Sequence, residues 1–357
     1  ERFSTRDCIS VAEVEFPAYY NFFILGKKIN VITDEEGESV IRGVFDETVT
    51  VAGDLNVLPE YGRFATAESL AARPDLRKEI ENFQRPQSGS GNTTDAMVKF
   101  HIFDGKGCVW LNDKVCVLIQ NDDREFVVKD GSRELCRCPT QLILPPPENP
   151  RPSMGMPFEP PDFGVTVLGS SHGFDPKGAT TGFIVWMYGR GVVVDPPPHS
   201  LGPLISHGIQ PRHITAVILT HCHADHDAGT FQKLLMENRV RIFTTSIIMR
   251  SFLQKYSHIM GLEESFLRKL FDFEPVRLGQ PNFWGGGHFV FFYSLHAIPC
   301  MGFEAHCGGK SLVYSADTLN DKGRIQEMQK RGVMTKERAE FLVNFPWHHD
   351  LIIHEAG

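Results

Sequence analysis

The stretch "ILTHCHADHDAG", Ile218 to Gly229, sets the tightest limit on how this chain can fold. It places His221, Cys222, His223, Asp225, His226 and Asp227 in seven positions at the end of the apolar run "HITAVILT". That run reads as a buried strand, so the polar group sits where the chain leaves a sheet. His221 and His223, at i and i+2, can offer imidazole nitrogens to one cation, and a third ligand from elsewhere would leave a position open for water. Asp225 and His226 follow at once and can serve a second cation. Asp317 in "VYSADT" is the candidate carboxylate to bridge both. His296 in "SLHAIPCMGF" would complete the first site and His354 in "LIIHEAG" the second.

Other residues of ligand type also stand just past strand-like runs. "GVVVD" ends at Asp195, "HFVFFYSLH" at His296, "KSLVYSAD" at Asp317 and "DLIIH" at His354. Strand ends along one edge of a sheet are where convergent sites are commonly assembled. With "GVTVLGS", "GFIVWM", "RVRIFTT" and the short helix "FQKLLMEN", strands and helices alternate, which implies an α/β domain with covered sheet faces. "PPPENPRPSMGMPFEPP", Pro145 to Pro161, disfavours helix and central strand and reads as a semi-rigid linker.

Before the linker the runs are shorter. "NFFILGKKINVITDEEGESVIRGVF" reads as a hairpin about an Asp34–Gly37 turn, and Thr66–Phe83 as a helix capped by Thr66 and interrupted at Pro74. "QRPQSGSGNTTD", Gln84 to Asp95, reads as a flexible loop. Asp-Gly turns at Asp104–Gly105 and Asp130–Gly131 bracket a β-rich block. The organisation expected is a β-rich accessory domain over 1–144, a linker over 145–161 and an α/β domain over 162–357. The absence of an initiating Met and the stop at Gly357 read as a segment of something longer, with a C-terminal piece missing.

The ordered set His221-x-His223-x-Asp225-His226, His296, Asp317 and His354 resembles the metallo-β-lactamase-fold hydrolases. "SADT" and "DLIIHEAG" are most similar to their RNase Z-like phosphodiesterase branch. The resemblance covers roughly residues 161–357 and implies an αββα sandwich with a binuclear centre. In it His221, His223 and His296 bind one cation, Asp225, His226 and His354 the other, and Asp317 bridges. Asp195 matches the family's first motif, an aspartate that orients the metal histidines. The implied chemistry is metal-assisted hydrolysis through a hydroxide shared by two divalent ions. Zn is the first choice, with Mn or Fe as alternatives, and Asp225 aims the nucleophile. His348 and His349 in "FPWHHD" are the nearest candidates in sequence to protonate the leaving group. Only "AIPCMGFEAHCGGKSLVYSA" separates His296 from Asp317, which leaves no room for the basic arm with which RNase Z enzymes grip tRNA.

Charge points the same way. The net charge is −8, yet residues 161–357 hold 18 Lys and Arg against 18 Asp and Glu. A neutral catalytic half argues against a nucleic-acid polymer as substrate. No apolar run spans a bilayer, no secretory signal opens the chain, and eight sparse cysteines read as reduced thiols of a cytoplasmic protein. The leading expectation is a phosphodiesterase for a small phosphodiester such as a cyclic nucleotide. A lactonase or thioesterase using the same metals is the alternative, and a non-catalytic metal-binding scaffold the third reading. A ligand or partner for the N-terminal domain and homo-oligomerisation stay open. Cys222, between two ligands, points to the opposite face and reads as structural. Asp227 reads as a helix-start residue, His172 as a surface histidine, and His288 and His306 as solvated turn residues. The "FVFFY" run reads as core and "GGG" at 285–287 as a hairpin turn.

Overall fold

Asp34 begins a helix, not a hairpin. Its side chain accepts a hydrogen bond from the Gly37 N–H at 2.8 Å, and Glu35, Glu36 and Glu38 load the first turn where the helix dipole favours negative charge. The computed structural model describes residues 12–51, 53–84, 93–120, 122, 124–140, 158–175, 179–198, 200, 204, 207–236, 240–345 and 348–354. Helix α1 (Ala12–Tyr19) runs into a wide turn at Tyr20–Ile24 and is followed by β1 (Ile29–Thr33) and α2 (Glu35–Phe45). The expected helix at 66–83 is two helices, α3 (Ala67–Ala71) and α4 (Leu76–Gln84), parted around Pro74 as its fixed φ requires. Thr66 caps α3, accepting from the Ser69 N–H at 3.1 Å. Of the loop read over 84–95, residues 85–92 lie outside the described residues; Thr93 then caps the single turn α5 (Thr94–Met97). Strand β2 (Val98–Ile102) pairs parallel with β1.

The β-rich block is a four-stranded antiparallel sheet of β3 (Cys108–Trp110), β4 (Val115–Gln120), β5 (Glu125–Asp130) and β6 (Arg133–Pro139). Most of the linker falls outside the described residues; its end, Phe158, packs on Trp186 with ring centroids 5.2 Å apart.

Two larger sheets follow. The first contains β7 (Phe163–Gly169), β8 (Gly182–Met187), β9 (Arg190–Val194), β10 (Ile214–Ile218), β11 (Val240–Thr244) and β12 (Phe271–Pro275), in the order β12-β11-β10-β9-β8-β7. Strands β9 to β12 are parallel, which demands crossovers. Two of these carry α6 (Ala224–Met236) and α7 (Ser246–Met260), and the short α8 (Glu264–Leu267) follows α7. The second sheet contains β13 (Pro281–Trp284), β14 (Gly287–Tyr293), β15 (Met301–Cys307), β16 (Lys310–Tyr314) and β17 (Leu351–Ile353) in sequence order. Between β16 and β17 lie α9 (Lys322–Lys330) and α10 (Lys336–Val343).

The sheets stack face to face. Phe183 on β8 meets Tyr314 on β16 at 4.8 Å, and β8 is buried along its whole length. α6 and α7 pack together through Phe231 and Tyr256, stacked at 4.0 Å, while α10 covers the second sheet through Phe341 on Phe292 at 5.4 Å. This is the αββα sandwich that the motif order implied. The alternation of "FVFFY" follows the pleat: Phe289, Phe291 and Tyr293 enter the core and Phe292 faces outward.

Residues 12–84 are mainly helical and share the sandwich core. Val44, Val51, Leu55, Val57, Leu76 and Ile80 belong to the same buried cluster as the two sheets. Helix α2 lies along α7 so closely that a Cβ at Gly43 would come within 2.4 Å of the His258 ring. No helix among the described residues is long and apolar enough to cross a membrane.

Candidate metal centre

β9 and β10 are neighbours, and their ends are tied by Asp195. Asp195 is fully buried and takes a left-handed backbone, φ 42°. Its Oδ1 accepts from the Thr220 N–H at 2.9 Å. Its Oδ2 accepts from the Thr220 hydroxyl at 2.5 Å and faces His226 Nδ1 at 2.9 Å. The carboxylate thereby meets the Nδ1 side of His226, whose Nε2 faces Asp317. Thr220, which sequence reading passed over, also meets His221 Nδ1 at 3.0 Å.

Asp317 lies at the centre. Its Oδ2 stands 3.6 Å from His221 Nε2 and 3.8 Å from His296 Nε2, and its Oδ1 stands 3.3 Å from His226 Nε2. The neighbouring Ala316 is also left-handed at φ 50°, a strained backbone of the kind found at functional sites. His296 Nε2 and His223 Nδ1 are 3.0 Å apart, and Asp225 Oδ2 lies 3.8 Å from His226 Nε2. One donor atom from each of His221, His223, His296 and Asp317 falls within 4.8 Å of the others. His221 Nε2 is buried without a hydrogen-bond partner among the described residues. An orphaned imidazole nitrogen facing a carboxylate oxygen in a set of nitrogen and oxygen donors fits a divalent cation.

Electrostatics agree with that donor set. Burial pushes the imidazoles of His221, His223 and His296 below their ordinary range, which keeps them in the neutral, ligating form. Burial also works against a charged His226, but Asp317, Asp225 and Asp195 outweigh it and raise this histidine. Burial acts to raise Asp317 as well; His226 and His221 overcome it and hold the carboxyl well below the usual carboxylate range.

Other expected residues lie elsewhere. His354, just past β17, turns its ring onto Phe345 at 4.8 Å and lines a small cavity with Ser294, Thr318 and Leu319. The apolar contact holds it there, and it does not join the four-residue cluster. His348 and His349 lie by Glu304 and His306 on the outer face of the second sheet, where Glu304 and His306 are the outward residues of β15. His288 and His306 are paired strand residues rather than turn residues, with rings stacked at 4.8 Å. Asp227 does begin a helix, but it is fully buried and accepts from Lys255 Nζ at 2.7 Å and the Tyr256 hydroxyl at 3.0 Å. Cys222 is structural as expected, its buried thiol donating to the Ile248 carbonyl at 3.5 Å.

The N-terminal segment reaches the site. Glu15 of α1 is buried, accepts from the Ala224 N–H at 3.1 Å at the start of α6, and pairs with Lys255 Nζ at 2.6 Å. Burial works against the Lys255 ammonium, but Asp227 and Glu15 outweigh it and hold it charged. Tyr19 presents its ring to the edge of His223, centroids 5.8 Å apart. A cavity of about 290 Å³ opens over the cluster. Its floor includes His223, Asp225, His296 and Asp317, and its walls include Phe16, Tyr19, Phe23 and Phe174. His172 lies at its exposed rim and accepts the Phe174 N–H on Nδ1 at 3.1 Å, which leaves the ring proton on Nε2. Gly173 packs closely: a Cβ there would come within 2.6 Å of Asp225 Oδ2 and 2.8 Å of the Phe16 ring, so either side chain would have to shift. Nothing in the local pattern of α1 marked Phe16 or Tyr19 as site residues.

Comparison with known proteins adds the following. The model of a family described as "Anti-Pycsar protein Apyc1" matches residues 163–338. The cGMP-dependent 3′,5′-cGMP phosphodiesterase A of Dictyostelium discoideum is 42% identical over 295 residues, covering 80% of this chain and 33% of the relative. The cAMP/cGMP-dependent 3′,5′-cAMP/cGMP phosphodiesterase B of the same organism is 30% identical over 405 residues, covering 98% and 37%. The chain thus spans about a third of the length of these curated relatives. Among solved structures, the metallo-β-lactamase fold protein YhfI from Bacillus subtilis aligns with 23% identity and a TM-score of 0.36, covering 46% of this chain and 65% of that one.

Proposed function

We propose that this chain is a metal-dependent phosphodiesterase that opens the phosphodiester ring of a 3′,5′-cyclic nucleotide. The observation that carries the proposal is the divided carboxylate of Asp317, with one oxygen toward His221 and His296 and the other toward His226. His221, His223, His296 and Asp317 would hold one divalent ion, with Asp225, His226 and the second oxygen of Asp317 holding another. Zn suits this donor set, as do Mn and Fe. The chemistry such a pair supplies when bound is acidification of a water molecule and neutralisation of charge on the phosphoryl oxygens.

The chain's own residues do the rest. Asp225 accepts a hydrogen bond from the attacking water and aims it at phosphorus. Asp195 keeps His226 in one tautomer. Phe16, Tyr19, Phe23 and Phe174 give a flat base an apolar wall against which to stack and keep bulk water from the floor. His172, with its proton on Nε2, can donate a hydrogen bond from the rim to a substrate oxygen. The named activities of the two Dictyostelium relatives support a cyclic nucleotide over a lactone or thioester.

The test is hydrolysis of cGMP, cAMP, bis-p-nitrophenyl phosphate, a thioester and a lactone by the purified chain, with metal content measured in parallel. Turnover of the cyclic nucleotides, about two metal ions per chain attributable to this centre, and loss of both metal and activity in Asp317→Ala are expected. Turnover confined to the thioester or lactone would replace the reading with an ester hydrolase. A folded, metal-free protein after purification in Zn would end it.

A further inference from the structure

A second group of imidazoles and a carboxylate lies on the outer face of the second sheet, and the hydrolase reading makes no use of it. Glu304 and His306 alternate along β15 and so share that face, while the residues between and beside them, Phe303, Ala305 and Cys307, enter the core. His349 arrives from the segment that leads into β17. His306 Nε2 lies 3.2 Å from Glu304 Oε2, and His349 Nε2 lies 3.7 Å from the same oxygen. One donor atom of each of the three falls within 4.8 Å of the others.

The observation that points to a ligand is His349 itself. Its side chain is 2% exposed, and both ring nitrogens are buried with no hydrogen-bond partner among the described residues. An imidazole always carries a lone pair or a proton on each nitrogen, and buried ones are normally satisfied. An ordinary Glu304–His306 hydrogen bond explains those two residues and leaves His349 unexplained. Donor atoms around a tetrahedral Zn, with bonds of about 2.0–2.2 Å, lie roughly 3.3–3.5 Å apart. The two measured separations fall on either side of that spacing.

We propose that Glu304, His306 and His349 form a further divalent-cation site, suited to Zn, on the outer face of the second sheet. A fourth position opens toward a groove of about 400 Å³ whose lining includes His288, His306, Lys310 and Ser311. The ion ties the segment before β17 to β15. That segment is otherwise fastened near this point by Asp350, whose Oδ2 accepts the Ser311 N–H at 2.8 Å. β17 pairs with β16 over three residues, so a clamp at its start decides how firmly this edge strand is held.

The experiment uses the full chain, stripped with chelator and titrated with Zn in competition with a chromophoric chelator, alongside His306→Asn, His349→Gln and Asp317→Ala. The two outer-face variants are expected to bind one Zn equivalent fewer than the parent, and Asp317→Ala to retain that equivalent. Zn should raise the melting temperature of Asp317→Ala and lose this effect when His306→Asn is added. Unchanged stoichiometry in folded His306→Asn overturns the proposal. Because His306 is half-exposed, this variant carries the test if His349→Gln fails to fold. Loss of metal from the Asp317 centre alone is read separately, so the two sites stand or fall independently.

Discussion

The helical segment of residues 12–84 and the four-stranded sheet of residues 108–139 relate to the αββα sandwich in opposite ways. The helical segment inserts buried carboxylates into it, among them Glu15, Glu60 and Glu79. Glu15 meets the start of α6 and Lys255. Glu60 accepts the Ile247 N–H at 2.8 Å, at the start of α7, and the Tyr293 hydroxyl at 2.6 Å. Glu79 forks onto Arg338 at 3.0 and 3.1 Å, and Arg338 in turn donates to the Tyr293 carbonyl at 2.7 Å, three residues before His296. Two of the three thus sit at helix N-termini, where unpaired N–H groups and the dipole favour an anion. The four-stranded sheet keeps its charged pairs in water: Arg137 bridges Glu125 and Glu134 on a strand exposed along its length. Its buried side chains Val109, Val117 and Val127 belong to none of the larger buried clusters among the described residues. A segment is part of the sandwich body when its charges are buried in that body's polar gaps, wherever it lies in the sequence.

The largest effect should come from Glu79→Ala, which strands a fully buried guanidinium. A loss of about 3–5 kcal/mol in denaturant unfolding is expected, together with weaker activity because the strand end before His296 loosens. A loss under about 1 kcal/mol would show that residues 12–84 are a detachable accessory. Glu47 tests the same contrast through pH. Burial is the main cause that lifts its carboxyl to about 7, with Ser251 and Arg250 opposing. A carboxyl raised in the folded state favours folding below its unfolded value of 4.5, and that contribution is lost as pH rises through about 7. Glu47→Gln should therefore stabilise the chain at pH 8 by on the order of 2–3 kcal/mol relative to pH 4.5, measured by thermal unfolding at both. An equal effect at both pH values would place Glu47 in water.

Phe16→Ala should raise KM for a cyclic nucleotide by roughly 10-fold, about the worth of one base stack, with kcat nearly unchanged. A fall in kcat at constant KM would move α1 from substrate wall to support of the catalytic loop. The smallest effect belongs to the sheet: Arg137→Ala should cost at most about 1 kcal/mol and leave turnover untouched. A larger loss would mean that the sheet is held against the catalytic body after all.

Much of the sandwich was readable because its strands are short apolar or alternating runs bounded by Gly and polar turns. β8 matches "GFIVWM" residue for residue. The ligand candidates stood at strand ends, so His221, His223, Asp225, His226, His296 and Asp317 converge once the sheets form. Helix α2 reads as a hairpin in the sequence although Asp34 and the following glutamates carry a start signal, because β-type runs on either side obscure it. The role of α1 was not readable at all. Glu15, Glu60 and Glu79 look like surface charges in any local window, and what buries them lies more than 180 residues away.

Local sequence dictates which residues could ligate metal and in what order, because strand-then-turn spacing is a local property of the backbone. Which of them meet depends on the packed fold. It gathered four donors around Asp317, sent His354 to Phe345 and His349 to Glu304, and brought α1 over the floor. Those outcomes depend on which sheet edges, helix ends and apolar faces lie together, and burial of a charge or an imidazole is settled by neighbours distant in the chain.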